Sequence, residues 1–282
     1  MSGTRSPSRP APAIDPRPDA DLVIVAHGER GGRGDNAALL RLAARTARAG
    51  GLGVVHAGVL KGGPSLEAAL HAARGGAGCI YPLFMSDGYY VRTAIPERLR
   101  RAGKAIHVHR PFGLEPGLAK VIARVAARAL GARDHGPVAG TLLLVGHGSS
   151  KSDDSRAATD WQAARVRSLG AFDEVRTAYL ENAPILADAL QRLPPGPCAV
   201  VGLFSGEGLH AGEDVPAAIR LTGRSDIRYA GPIGTAPEAA ALIAASVRAA
   251  STAGAWSGAE PIPPGRVSTH AALTGMRAGL SS

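Results

Sequence analysis

Short, unbroken apolar runs alternate with stretches of helical period along most of the chain. Runs such as Leu22-Val23-Ile24-Val25-Ala26 and Leu142-Leu143-Leu144-Val145 carry no alternating polar positions. That pattern fits strands covered on both faces rather than half-exposed ones. It predicts strands near 21–26, 53–59, 77–84 and 105–109, then near 141–146, 174–180, 197–204 and 227–231. Between them the spacing predicts helices near 35–49, 64–74, 93–102 and 115–130, then near 153–169, 184–192, 213–222 and 235–250. Strand and helix in strict alternation give βαβ units and parallel sheets. The expected fold is therefore α/β. Two tandem pseudo-symmetric domains, each a four-stranded parallel sheet flanked by helices, face one another across a cleft. Residues 1–20 and 251–282 are rich in Pro, Gly, Ser and Ala without periodicity, and read as a disordered leader and a flexible tail. Residues 131–140 carry breakers at both ends and read as a linker between repeats at 21–130 and 141–250.

The two halves repeat one another at an offset of 120 residues. Ile24-Val25-Ala26-His27-Gly28-Glu29 matches Leu144-Val145-Gly146-His147-Gly148-Ser149. Gly63-Pro64-Ser65-Leu66 matches Ala183-Pro184-Ile185-Leu186, and Pro82-Leu83-Phe84 matches Gly202-Leu203-Phe204. Ala94-Ile95-Pro96 matches Asp214-Val215-Pro216. A shared offset across four matches marks an internal repeat. Positions where the copies differ then point to function, and the sharpest is His210 against Tyr90.

Charge adds a second asymmetry. Residues 21–135 hold 17 basic and 8 acidic side chains, whereas residues 136–250 hold 10 and 12. A basic half beside a slightly acidic one fits an anionic partner. The arginines lack the aromatic interleaving and the motifs of nucleic-acid binders, so nucleic acid is not expected. The two cysteines, Cys79 and Cys198, open apolar runs and read as small buried hydrophobes. Without Cys-x-x-Cys there is no thiolate framework for zinc or iron–sulfur. No apolar run approaches the ~20 residues that span a bilayer, and the N-terminus lacks the apolar core of a signal peptide. A cytoplasmic protein without membrane attachment is expected.

Ligands of parallel sheets bind outside the carboxyl ends of the strands. His27 and His147 each follow the first strand of their repeat in a glycine-flanked turn. His210 follows the third strand of the second repeat, and Glu181 follows its second. First and third strands are commonly neighbours, so His147 and His210 are expected to converge. Two imidazoles and a carboxylate suit a divalent ion such as Co²⁺, Fe²⁺, Ni²⁺ or Zn²⁺. So few ligands leave open positions, unlike a closed structural site. Loose holding suits a protein that hands its metal on.

These residues resemble a known family. Gly-His-Gly-Ser after a first strand, an acidic residue before a helix, and His210 followed by Asp214-Val215-Pro216 look like the class II tetrapyrrole chelatases, in particular the sirohydrochlorin chelatases named CbiX and SirB. The resemblance covers roughly residues 21–250. It implies insertion of Co²⁺ or Fe²⁺ into sirohydrochlorin, for cobalamin or sirohaem synthesis, with prevalence in the family tilting toward cobalt. The metal is then a substrate, and no tightly bound cofactor is expected. The family's metal-and-proton histidines fall on His147 and His210, and its acidic position falls near Glu181, one residue short of the usual spacing to Pro184. The first repeat keeps His27 but has Glu29, Lys61, Tyr90 and Ala94 where the second has Ser149, Glu181, His210 and Asp214. Metal handling is thus expected in the second half. The basic first half, through Arg92 and Arg110, is expected to hold the carboxylates of the tetrapyrrole, with Ser149 also contacting it. A monomer with an internal pseudo-dimer follows. A non-catalytic tetrapyrrole or metal carrier on the same fold is the alternative. A hydrolase using Ser149 or Ser205 would need a Gly-x-Ser-x-Gly elbow, which is absent.

Overall fold

The computed structural model describes residues 20–29, 34–73, 76–132, 136–150 and 152–253. The apolar runs form parallel strands. In the first repeat these are β1 (Asp21–Ala26), β2 (Val55–Val59), β3 (Ala77–Pro82) and β4 (His107–Val108), in the order β2-β1-β3-β4. In the second they are β5 (Val138–Gly146), β6 (Phe172–Tyr179), β7 (Cys198–Gly202) and β8 (Ile227–Pro232), in the order β6-β5-β7-β8. The helices are α1 (Ala37–Arg48), α2 (Leu66–Ala72), α3 (Ile95–Arg101) and α4 (Leu118–Ala129), then α5 (Asp154–Ser168), α6 (Leu186–Gln191), α7 (Val215–Leu221) and α8 (Pro237–Ala253). Cis peptides at Gly63–Pro64 and Ala183–Pro184 keep the offset of the repeat.

Because side chains alternate across a strand, each central strand feeds two cores. Val23 and Val25 pack with Leu66, Leu70, Ile95 and Leu99, which belong to α2 and α3. Leu143 and Val145 pack likewise with Leu186, Leu190, Val215 and Ile219. The opposite faces, Leu22 and Ile24 together with Leu142 and Leu144, join a single core that runs through both repeats.

The helices that close each repeat create that shared core. α4, at the end of the first repeat, packs on α5, β7 and β8 of the second. α8, at the end of the second, packs on α1 of the first. Polar contacts fasten α8 there: Arg248 donates to the Gly50 carbonyl, and Ser246 Oγ donates to both carboxylate oxygens of Glu115 at 2.8 and 2.9 Å. Tyr81 also donates to Glu115, at 2.9 Å. Burial raises the Glu115 carboxyl, and burial lowers the adjacent His109 to about 4.

Several boundaries differ from the sequence pattern. β4 shrinks to two residues, β2 starts at Val55, and β3 and β7 end at Pro82 and Gly202. β5 begins at Val138, inside the expected linker, because Val138 pairs with Phe172 beyond a register irregularity. α8 runs to Ala253, past the expected start of the tail, with its apolar face held by the core. The leader up to residue 19, the tail from residue 254 and linker residues 133–135 lie outside the described residues. Both cysteines are free and buried, and burial pushes both thiols up.

Candidate active site

β5 ends between β6 and β7, with Val145 paired to Ala178 on one side and Gly202 on the other. The segments that leave these three strand ends carry His147, Glu181 and His210. Directly after β5 the chain turns through Gly148 at φ 76°. A Cβ there would lie 2.4 Å from Asn182 Oδ1, the atom that accepts the Ser149 amide. Glycine is thus required on both backbone and steric grounds. The turn fixes His147, whose carbonyl accepts the Glu181 amide at 3.0 Å.

His210 is held differently. It opens a π-helical turn, His210–Asp214, in which the Val215 amide reaches back to the His210 carbonyl. Pro216 has no amide to give the carbonyl of Gly212, so the wider register loses nothing at that step. The turn brings Asp214 Oδ2 to 2.7 Å from His210 Nδ1. His147 Nδ1 lies 2.9 Å from the Gly148 carbonyl and 3.8 Å from Glu181 Oε1. Carbonyl and carboxylate oxygens only accept, so each Nδ1 carries a proton, and in the neutral ring it is Nε2 that presents the lone pair. The two rings meet edge to face with centroids 4.5 Å apart. Their side chains remain 40% and 47% exposed, so an ion or ligand can reach them. Acceptors behind both imidazoles fix their orientation as ligands. Among the described residues no cluster of three or more His, Cys, Asp or Glu is placed to hold an ion.

The first repeat keeps the same glycine turn after its first strand. Gly28 turns at φ 104°, and a Cβ there would fall 1.9 Å from the Lys61 carbonyl oxygen. Tyr90 occupies the place of His210 and lies 3.0 Å from His27 Nε2; His27 Nδ1 faces the Gly28 carbonyl at 3.3 Å, so Nδ1 carries the proton and the Tyr90 hydroxyl donates. The lone pair that stays open on His147 is therefore spent on His27. Phe84 stacks on Tyr90 at 5.7 Å and stiffens the plug. Ala94 cannot orient a second imidazole as Asp214 does.

Between the repeats lies a cavity of ≈ 350 Å³, lined from the first by His27, Glu29 and Met85 and from the second by His147, Phe204 and His210. The model of the CbiX family matches residues 21–129 and again 141–250, once per repeat. The chain belongs to the CbiX family. A protein of Halobacterium salinarum described as a probable sirohydrochlorin cobaltochelatase is 27% identical over 259 residues, 79% of this chain and 88% of that protein. The solved CbiX described as the terminal enzyme of siroheme biosynthesis in denitrifying bacteria is 32% identical, with TM-score 0.66 over 82% of this chain and 99% of its own. SirB of Bacillus subtilis subspecies spizizenii, solved in complex with cobalt, shares the fold at 17% identity and TM-score 0.62, covering 82% of this chain and 95% of its own.

In this CbiX-family chain the remaining expected site residues lie outside the cavity lining. Arg92 follows Tyr90 in a π-helical turn and pairs with Asp87 at 3.1 Å and, across the repeats, with Asp154 at 3.4 Å. Asp154 is adjacent to Ser155, which does line the cavity. Arg110 lies near Glu115 and His109; burial is the main cause of both shifts, and the Arg110 charge only partly offsets the rise at Glu115. Ser149 stands in the turn after His147, with its backbone clasped at both N–H and C=O by Asn182. Three features escaped the sequence reading. Asp214 orients His210, a contact implicit in the four-residue spacing. Tyr89 and Leu209, 120 residues apart, directly precede Tyr90 and His210 and are 66% and 59% exposed. Glu29 lines the cavity from the first repeat.

Proposed function

We propose that this chain inserts a divalent metal ion, Co²⁺ or Fe²⁺, into sirohydrochlorin, and that the second repeat does the chemistry. The edge-to-face pair His147–His210, with both Nδ1 protons already committed and both Nε2 lone pairs open, carries this reading. Two neutral imidazoles strip part of the hydration shell from an incoming ion without closing its coordination sphere. The ion therefore remains transferable. As it passes to the pyrrole nitrogens the imidazoles are released, and a vacated Nε2 can then accept a proton. The exposed faces of Tyr89 and Leu209 suit the flat apolar body of a macrocycle. The cobaltochelatase description of one relative and the siroheme description of another leave both metals in play. One chain supplies both cavity walls, which fits a monomer. No helix among the described residues is long and apolar enough to cross a membrane.

The decisive assay mixes purified protein, metal-free sirohydrochlorin and Co²⁺ or Fe²⁺ anaerobically, and follows the absorbance of the metallated ring. Acceleration over the protein-free rate is expected. Binding of both ligands without acceleration would make the chain a carrier.

Arg92 and Arg110 are proposed to recognise the carboxylates at the ring periphery. Charge removal at both is expected to raise KM more than it lowers kcat, because holding the periphery is mostly uniform binding. Added salt is expected to weaken sirohydrochlorin binding to the wild type, since exposed pairs are screened within ~10 Å at 0.1 M. An unchanged KM in the double mutant would instead confine Arg92 to its ion pairs with Asp87 and Asp154.

A further inference from the structure

Metal insertion releases two pyrrole protons, and the histidine pair cannot accept the first. Each Nδ1 is already protonated, and each Nε2 cannot bind a proton while it holds the ion. The first proton needs another acceptor inside the cavity. Glu181 and Asp214 do not line it; both lie on the Nδ1 sides of the imidazoles. Among the described residues, Glu29 is the one acidic side chain in the lining.

Glu29 belongs to the repeat whose own histidine is plugged by Tyr90. Its carboxylate reaches toward the loop that carries His210: Oε1 lies 3.8 Å from where a Cβ on Gly206 would stand. No hydrogen bond or ion pair engages that carboxylate among the described residues. Its backbone is anchored instead. The Glu29 amide donates to Asn36 Oδ1 at 2.9 Å, and Asn36 Nδ2 donates to the Gly63 carbonyl at 2.8 Å. Asn36 is buried and holds a left-handed conformation at φ 53°, an unfavourable state for most residues that asparagine tolerates. The second repeat has Arg156 at that position, and there Asn182 clasps the Ser149 amide from another element. Gly34 completes the cradle, since a Cβ on it would fall 2.5 Å from Glu29 Cβ.

We propose that Glu29 is the base that takes the first pyrrole proton. This rests on the chelatase reading above. As the ion leaves the imidazoles, a pyrrole N–H bond breaks and its electron pair stays on nitrogen to form the nitrogen–metal bond. The proton bonds to a Glu29 carboxylate oxygen and later passes to water. The second proton goes to the imidazole Nε2 that the ion has vacated. The degenerate repeat thus supplies the base while the intact repeat supplies the metal.

The test uses full-length wild type, Glu29→Gln and Glu29→Asp. Three quantities are measured: insertion kinetics with sirohydrochlorin and Co²⁺, Co²⁺ binding without the macrocycle, and sirohydrochlorin binding without metal. Loss of a general base predicts a fall in kcat of about 100-fold in Glu29→Gln, with both binding constants within about twofold of wild type and partial recovery in Glu29→Asp. An active wild type with Glu29→Gln at the same rate overturns the inference alone. A parallel loss of Co²⁺ affinity and kcat also overturns it, by making Glu29 a metal ligand. A wild type that accelerates no insertion overturns the chelatase reading itself.

Discussion

His147→Ala or His210→Ala is expected to lower metal insertion by at least about 100-fold, the lower range for loss of a positioned proton-transfer group, with further loss from the missing ligand. The fold should survive, because both side chains are partly exposed and neither belongs to an apolar core. Asp214→Asn is expected to cost less, about 10- to 100-fold, the range typical of a group that orients a ligand. It retains an oxygen to accept from His210 Nδ1 but loses the charge. His27→Ala should change little, since its Nε2 is already occupied by the Tyr90 hydroxyl. Insertion rates measured alongside circular dichroism decide the matter. Near wild-type turnover in both the His147 and His210 variants would refute the site. A larger loss from His27→Ala would move the chemistry to the first repeat.

The first repeat expressed alone, as residues 21–137, is expected not to fold cooperatively. Its last helix packs on the other repeat, and Leu118, Val121, Ile122 and Val125 are buried there. Four such side chains returned to water forfeit roughly 6–12 kcal/mol at about 1.5–3 kcal/mol each, an upper bound set by the extended reference chain. That is comparable to the whole stability of an ordinary domain, about 5–15 kcal/mol. The fragment also loses Ser246, a partner of the buried Glu115 carboxylate. Thermal melts followed by circular dichroism test this, with an equimolar mixture of the two halves as the rescue. A sharp melt of residues 21–137 alone, at the temperature of the intact chain, would show that the exchanged helices contribute little.

How far the sequence could be read depends on the range of the forces involved. Eight strands and eight helices were legible, because a strand covered on both faces must be apolar throughout and a helix must repeat its apolar face every turn. Strands were read too long at 53–59 and 105–109, on an edge, and at 77–84 and 197–204, in the centre, since the apolar run goes on past the last paired residue. The π-helical start of α7 was not legible as such. His210, Asp214 and Pro216 stand at the right spacing, yet only the missing amide of Pro216 explains why the turn widens.

The sequence by itself determined the repeat, the parallel α/β units and the residue types available for chemistry. These are local or periodic properties, written in apolar spacing and in glycine turns at strand ends. It also placed His147, Glu181 and His210 at three strand ends of one repeat. Which lone pairs stay open was decided by the tertiary structure alone. The Tyr90 hydroxyl closes His27, whereas Gly148 and Asp214 hold the Nδ1 sides of His147 and His210 and leave Nε2 free. Only the tertiary structure exchanged α4 and α8 between repeats, because a helix pattern shows that a face is apolar but not which sheet covers it. The same exchange forms one core and one cavity from two copies, and it sets Glu29 of one repeat among the histidines of the other.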